Sequence, residues 1–316
     1  MAQIMIMGEL LVEIMRDRVD TPLCETGAYF RGPFPSGAPG IFASAAARLG
    51  HDIGIISGVG NDDFGRNILE RLKNVGVDTS RVLVCDDAPT GTAFVTYFSD
   101  GERKFIFHID HTPAVMAKAP ASGKGLEDVR FFHIMGCSLM ASVTFGKEIL
   151  KTMYLLREQG ATVSFDPNVR LEMLKDPEAM HMVREAYRNC KIFLPGRSEL
   201  KLITGVEVEE AAVARAFAEN EGLEILVLKC GSEGSKLYTR DGQVQTVGIF
   251  QVEEVDPTGA GDCYDAAFIC GLAEGKSPYE AARMGAAAGA LNAAAFGPME
   301  GDISRENLEK MLRGSL

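Results

Sequence analysis

Short apolar runs of strand length recur along this chain with helix-spaced segments between them, and that alternation restricts the fold more than any other feature. The runs are residues 4–7, 53–57, 131–135, 162–165, 192–194 and 225–229. Between them, residues 40–49, 64–75, 145–159, 177–188 and 208–219 place apolar side chains at helical spacing. Strands that alternate with helices build an α/β fold: a doubly wound, mostly parallel sheet with helices on both faces.

The rhythm breaks between Thr90 and His111. Runs 92–98 and 103–109 are rich in β-branched and aromatic residues and meet around Asp100-Gly101, which is a hairpin signal. A hairpin cannot serve as a crossover helix, so it must project from the body, with residues 12–31 supplying further strands. A small sheet of this kind belongs over the carboxyl edge of the main sheet, where open α/β folds bind ligands. The expected division is therefore a discontinuous core (1–12, 32–90 and 112–316) and a β-sheet lid (13–31 and 91–111). Helices are expected at 260–274, 278–296 and 305–312. The run AARMGAAAGALNAAAFG (281–297) suits either close helix packing or a flat ligand such as an adenine ring.

Charge removes some function classes. Against 32 Lys and Arg stand 44 Asp and Glu, a net charge of -12, so nucleic acid and anionic membrane surfaces are repelled on average. The start MAQIMIMGELLVEIM has no basic region or cleavage pattern, and no stretch approaches the roughly 20 apolar residues of a membrane span. A cytoplasmic protein is expected. The 7 cysteines form no CxxC pair and are expected to be reduced, core-packing thiols, Cys263 and Cys270 among them.

The chemistry concentrates in Asp256-Pro257-Thr258-Gly259-Ala260-Gly261-Asp262, which runs into the helical CYDAAFICGLAEG. A Gly-Ala-Gly turn feeding a helix presents backbone N–H groups at a positive helix end, a ready phosphate site. A carboxylate in the first turn can merely complement the helix dipole. Beside an anion hole it can instead take a proton from an acceptor hydroxyl during phosphoryl transfer. At ordinary residue frequencies, six specified positions match by chance on the order of once in ten million windows.

This stretch resembles the C-terminal signature of the ribokinase (PfkB) family of carbohydrate kinases. Other segments resemble family landmarks in the right order: Gly8-Glu9-Leu10-Leu11-Val12-Glu13, Gly37-Ala38-Pro39, Val59-Gly60-Asn61-Asp62-Asp63-Phe64-Gly65, Gly76-Val77-Asp78-Thr79, Thr90-Gly91-Thr92-Ala93, Asp166-Pro167-Asn168-Val169-Arg170 and Lys229-x-Gly231-x-x-Gly234. The resemblance covers essentially the whole chain. It implies a ribokinase-like α/β domain with a β-sheet lid and an ATP- and Mg2+-dependent sugar kinase, with a monovalent cation such as K+ as a further cofactor. Asp262 would be the base, and Gly259, Ala260 and Gly261 the anion hole. Lys229, Gly231, Gly234, Thr258 and Asn292 would bind the nucleotide. Glu199 would act on the magnesium-water shell, although the Asn that opens that element in the family is Gly196 here.

The sugar end departs from the family pattern, because Glu13 and Ile41 stand where many relatives carry Asp and Asn. Losing an Asn removes two donors and an acceptor, so the sugar or its orientation should differ from ribokinase itself. Glu13, Gly37, Ala38, Arg103, Arg170 and Asp262 are the expected sugar-side residues, with a solvated lid charge the alternative for Arg103. Residues 32–39 and 8–15 look most like tagatose and fructose kinases, and Asp-Pro-Asn-x-Arg is shared with ketodeoxygluconate kinases. The expected reaction moves the γ-phosphoryl group of ATP to a hydroxyl of a ketose. The alternatives are a 2-keto-3-deoxygluconate kinase and a non-catalytic sugar or nucleotide sensor, the last prompted by Ile41 and Gly196 and opposed by the intact Asp262. The apolar lid sheet offers a face for a homodimer. His108 and His111 are read as surface residues rather than a metal pair. The Gly58-x-Gly60 segment falls short of a dinucleotide fingerprint.

Overall fold

The strand-length runs pair side by side in one large sheet, and the hairpin joins a second. A computed structural model describes residues 2–100, 102–174 and 176–314. In chain order the strands are β1 (Ile4–Met7), β2 (Leu11–Arg16), β3 (Phe30–Ser36), β4 (Ile53–Gly60), β5 (Asp78–Cys85), β6 (Gly91–Tyr97), β7 (Arg103–His108), β8 (Phe131–Met135), β9 (Thr162–Asp166), β10 (Ile192–Phe193), β11 (Ile225–Lys229), β12 (Ser235–Thr239) and β13 (Val244–Val247). The helices are α1 (Ala38–Arg48), α2 (Asp63–Val75), α3 (Gly136–Ala141), α4 (Val143–Glu158), α5 (Pro177–Asn189), α6 (Arg197–Thr204), α7 (Glu209–Glu219), α8 (Ala260–Ala273), α9 (Pro278–Ala293) and α10 (Arg305–Leu312).

The large sheet runs β13-β12-β11-β10-β9-β8-β1-β4-β5 and is parallel from β5 to β11. Its central strands are buried throughout, with Ile4 opposite both Ile53 and Phe131. Burial of both faces explains why these strands read as apolar runs rather than alternating ones. Helix ends follow local signals. The Asp62 carboxylate accepts from Gly65 N–H at 2.8 Å to cap α2, and Gly76 ends that helix in the left-handed region. Ser277 and Glu280 form a capping box that starts α9 at Pro278.

The second sheet has the order β3-β2-β6-β7. Its β6 and β7 are the expected hairpin, with Thr92 opposite His108; Gly101, where the turn was expected, lies outside the described residues. The sheet is larger than residues 13–31 and 91–111, since β2 begins at Leu11 and β3 continues to Ser36. It keeps a small core of its own in Met15, Val95 and Phe105.

Several elements were not expected. Strand β5 read only as a turn because it is an edge strand with a mixed, largely wet pattern. The antiparallel β12 and β13 extend the sheet past β11. Helices α3 and α6 are too short to show a period. The cysteines also divide: Cys137, Cys190, Cys263 and Cys270 are buried, whereas Cys24 is exposed and Cys85 and Cys230 are half-buried, so core packing does not describe all of them. His111 stands at φ 61° beyond the end of β7, and among the described residues no group of His, Cys, Asp and Glu is placed to hold a metal. No described helix is long and apolar enough to cross a membrane.

Candidate functional site

The carboxyl ends of β1, β8, β9 and β11 meet the N-termini of α1 and α8 in one crevice beneath the small sheet. Gly259 caps α8 at φ 77°, and a Cβ there would stand 2.6 Å from Pro298 O, so only glycine fits. First-turn amides have no helical acceptor, and Ala260 N–H already donates to Pro257 O at 3.2 Å. Of the three anion-hole residues expected, Gly259 and Gly261 are therefore the open donors.

Asp262 follows in the same turn and is buried. Its Oδ1 accepts from Asn168 Nδ2 at 3.0 Å. Burial, with the Asp166 charge adding to it, pushes this carboxyl up to about 6, against the pull of Arg170 and Lys229. The result is a carboxylate at neutral pH with more proton affinity than an exposed one, as a general base requires.

Asp262 lines a cavity that also contains Glu9, Glu13, Arg103 and Arg170. Glu13 accepts from Ser36 Oγ at 2.7 Å, and burial raises it to about 7. Gly37 and Ala38 form one wall. Gly37 has φ 95°, and a Cβ on it would lie 2.4 Å from Glu9 O, so the turn into α1 can approach the segment between β1 and β2 this closely only with glycine. Ile41 and Phe107 are among its apolar residues, and Ile41 also sits against Gly259. Arg103 is exposed at the start of β7 and nevertheless lines the cavity, with its guanidinium 5.7 Å from the Phe105 ring centre. Arg170 approaches the same ring from the core at 5.9 Å.

On the other side of α8 lies a cleft of about 420 Å³ lined by Lys229, Gly231, Gly234, Gly261, Gly289 and Ala293. The small-residue run divides between helix packing and the wall of this cleft. Gly285 packs against Tyr264, where a Cβ would be 2.9 Å from the ring, while Ala286, Gly289, Ala290 and Ala293 line the cleft. Lys229 forms part of this wall, but its ammonium donates to Asp166 Oδ2 at 2.9 Å and to Asp265 at 3.0 and 3.2 Å. Against its burial, those two charges hold the Lys229 ammonium well above its usual range.

Two expected nucleotide residues stand elsewhere. Thr258 lines the cavity that contains Glu13 and Asp262, its hydroxyl held by Asp256 and Tyr97. Asn292 is fully buried and donates to Thr258 O (2.7 Å) and Pro298 O (3.2 Å), so it braces the turn from behind. Glu199 accepts from Val169 N–H at 2.8 Å and Gly196 N–H at 2.7 Å, which fixes its carboxylate between the β9 and β10 loops. With both oxygens engaged, and with no group of His, Cys, Asp and Glu placed to hold a metal among the described residues, a magnesium ion would have to arrive on phosphate oxygens and keep its waters.

Tyr97, Asn168 and Glu9 were not picked out as site residues. Glu9 is buried with Ser138 Oγ donating to it at 2.5 Å, and its signal was a carboxylate directly after an apolar strand. Asn168 at φ 39° is one of few non-glycine residues in the left-handed region. Tyr97 carries no local signal beyond its place on the hairpin.

Comparison with known proteins places the chain in a family. The model of the pfkB family carbohydrate kinases matches residues 7–304. Fructokinase-1 of Oryza sativa subsp. japonica is 30% identical over 296 residues, covering 90% of each chain. The 2-dehydro-3-deoxygluconokinase of Bacillus subtilis (strain 168) is 32% identical over 282 residues, covering 88% of this chain and 86% of its own. The structure of a ribokinase II-type protein from E. coli in complex with ATP and Mg2+ superposes with a TM-score of 0.90 at 36% identity, covering 99% of this chain and 100% of that one.

Proposed function

The chain belongs to the pfkB family of carbohydrate kinases, which are phosphotransferases, and from that premise we propose that it transfers the γ-phosphoryl group of ATP to a hydroxyl of a ketose of the fructose or tagatose type. The observation that carries this reading is the place of Asp262, at the N-terminus of α8 and in the wall of a cavity that also holds Glu9, Glu13, Arg103 and Arg170, groups that can pair with hydroxyls. Asp262 Oδ1 is occupied by Asn168, which leaves Oδ2 without a protein partner among the described residues to take the proton of the acceptor hydroxyl. The amides of Gly259 and Gly261 then face the charge that develops on the transferred group. The cleft along α9 would take the nucleotide, with Gly231 and Gly234 at its rim. Magnesium, bound through phosphate oxygens and water, supplies charge neutralisation there.

The ketose reading draws on three buried carboxyl groups, Glu9, Glu13 and Asp262, which can exchange hydrogen bonds with sugar hydroxyls whether or not burial keeps them protonated. The second reading, a keto sugar acid, draws on the two guanidinium groups of Arg103 and Arg170, since a planar guanidinium pairs well with a carboxylate. ADP release measured with fructose, tagatose, other ketoses, aldoses and 2-keto-3-deoxygluconate decides between them. The ketose reading expects turnover on a ketose, and Arg170→Ala lowering its kcat/KM by about 1.5–3 kcal/mol while the KM for ATP stays put. Turnover confined to the keto acid would replace it. A homodimer through the small sheet, whose outer strands leave Phe30 and Ile106 exposed, is proposed alongside; sedimentation as a monomer would refute it.

A further inference from the structure

The hydroxyl of Tyr97, at the end of β6 in the small sheet, lies 2.5 Å from Thr258 Oγ1 in the core. Thr258 Oγ1 lies 2.5 Å from Asp256 Oδ1, and the same carboxyl receives Thr258 N–H at 3.0 Å on Oδ1 and Gly297 N–H at 2.9 Å on Oδ2. Thr258 Oγ1 donates to the Asp256 carboxyl, which accepts in every one of these contacts. A threonine hydroxyl has one proton, which goes to the carboxylate, so Tyr97 must be the donor to Thr258. The direction of the chain is thus fixed: Tyr97 to Thr258 to Asp256.

This chain begins in the sheet that covers the sugar cavity and ends in the turn that presents the anion-hole amides, since Thr258 immediately precedes Gly259. Among the described residues it is the one side-chain hydrogen bond from the small sheet to residues 256–262. A second contact converges on the same carboxylate. Phe34 of β3 packs on Phe296 with ring centres 5.9 Å apart, and Phe296 adjoins Gly297, whose amide holds Asp256 Oδ2.

We propose that Tyr97 is a positioning residue that couples the two substrates: with the small sheet seated over sugar, its hydroxyl holds Thr258 and with it the Gly259 and Gly261 amides in place for the phosphoryl group. Sugar binding then prepares the nucleotide side, and by linkage the nucleotide prepares the sugar side equally. The inference rests on the phosphotransfer reading above and adds to it a route by which sugar and nucleotide report on each other.

The test is titration calorimetry of wild type and Tyr97→Phe with a non-hydrolysable ATP analogue, with and without a saturating sugar that wild type phosphorylates. In wild type the sugar should tighten analogue binding by about fivefold or more, within the usual range of such couplings. In Tyr97→Phe that factor should fall to within about twofold of unity and kcat about tenfold, while sugar and analogue measured singly shift less than about threefold. Thr258→Val should lose the coupling too, and Thr258→Ser should keep it. A Tyr97→Phe protein that retains the wild-type factor overturns the proposal, as does one that weakens sugar alone and leaves the factor intact, which would make Tyr97 a sugar contact only. Absence of the factor in wild type also overturns it. Failure of wild type to release ADP with any sugar is a different result: it refutes the phosphotransfer reading, and this inference falls with it.

Discussion

Asn168 and Asp262, 94 positions apart in the chain, meet at 3.0 Å, the Asn168 amide donating to a carboxylate that lines the cavity beneath the small sheet. Asn168 can do so because its backbone is held at φ 39°, with its own N–H bonded to Asp166 Oδ1 at 3.0 Å. The bond settles which oxygen of Asp262 is spoken for and which is left for substrate.

Asn168→Ala should therefore cost a charge-assisted hydrogen bond, about 1.5–3 kcal/mol, expressed as roughly a 10- to 150-fold drop in kcat. The KM for ATP should move less than about twofold, since the nucleotide cleft lies on the other side of α8. Steady-state kinetics at saturating sugar checks this, and an unchanged kcat would remove Asn168 from the site.

The pH dependence of turnover follows from Asp262. Burial raises this carboxyl to about 6, and it accepts a proton only when ionised, so kcat/KM for the sugar should fall about tenfold per pH unit below 6 and level off above it. A profile from pH 5 to 9 measures this. A rate that is flat down to pH 5 would mean that the base titrates elsewhere.

The same shift bears on stability with a definite sign. A carboxyl that binds its proton more tightly folded than unfolded contributes fully at low pH, and that contribution is lost as pH rises through about 4 to 6. Replacing it by an amide removes the buried charge, while the amide oxygen can still accept from Asn168. Asp262→Asn should accordingly be more stable than wild type at pH 8 by on the order of 2–3 kcal/mol and equal to it near pH 3. Denaturant unfolding at the two pH values checks the difference, and a variant less stable at pH 8 would contradict it.

The small sheet should close on sugar. Phe105, Phe107 and Arg103 of β7 line the cavity, so a bound sugar adds contacts to the hairpin. Amide hydrogen exchange across residues 92–109 should slow with saturating sugar, more so with a nucleotide analogue present. Exchange indifferent to both would rule out a mobile cover.

Much of this was legible in the sequence, because its signals are local. The Gly259-Ala260-Gly261-Asp262 turn and the 92–109 hairpin are written in adjacent residues, and apolar runs mark every strand buried on both faces. What escaped depends on pairings made in space. Nothing near Tyr97 announces that its hydroxyl reaches Thr258, 161 positions away. Lys229 lines the cleft, but nothing local shows that Asp166 and Asp265 hold its ammonium, and Asn292 reads as a cleft residue until the carbonyls of Thr258 and Pro298 claim its amide. Strand β5 was missed because one wet edge erases the apolar signature.

The central claim is that Asp262 takes the proton from the sugar hydroxyl. The measurement that tests it most directly is ADP release by Asp262→Asn on the sugar that wild type phosphorylates, with analogue binding followed in parallel. Turnover should fall roughly 100- to 10,000-fold, the span of a general base, while the fold and the affinity for the ATP analogue are retained. Turnover within about twofold of wild type would contradict the assignment.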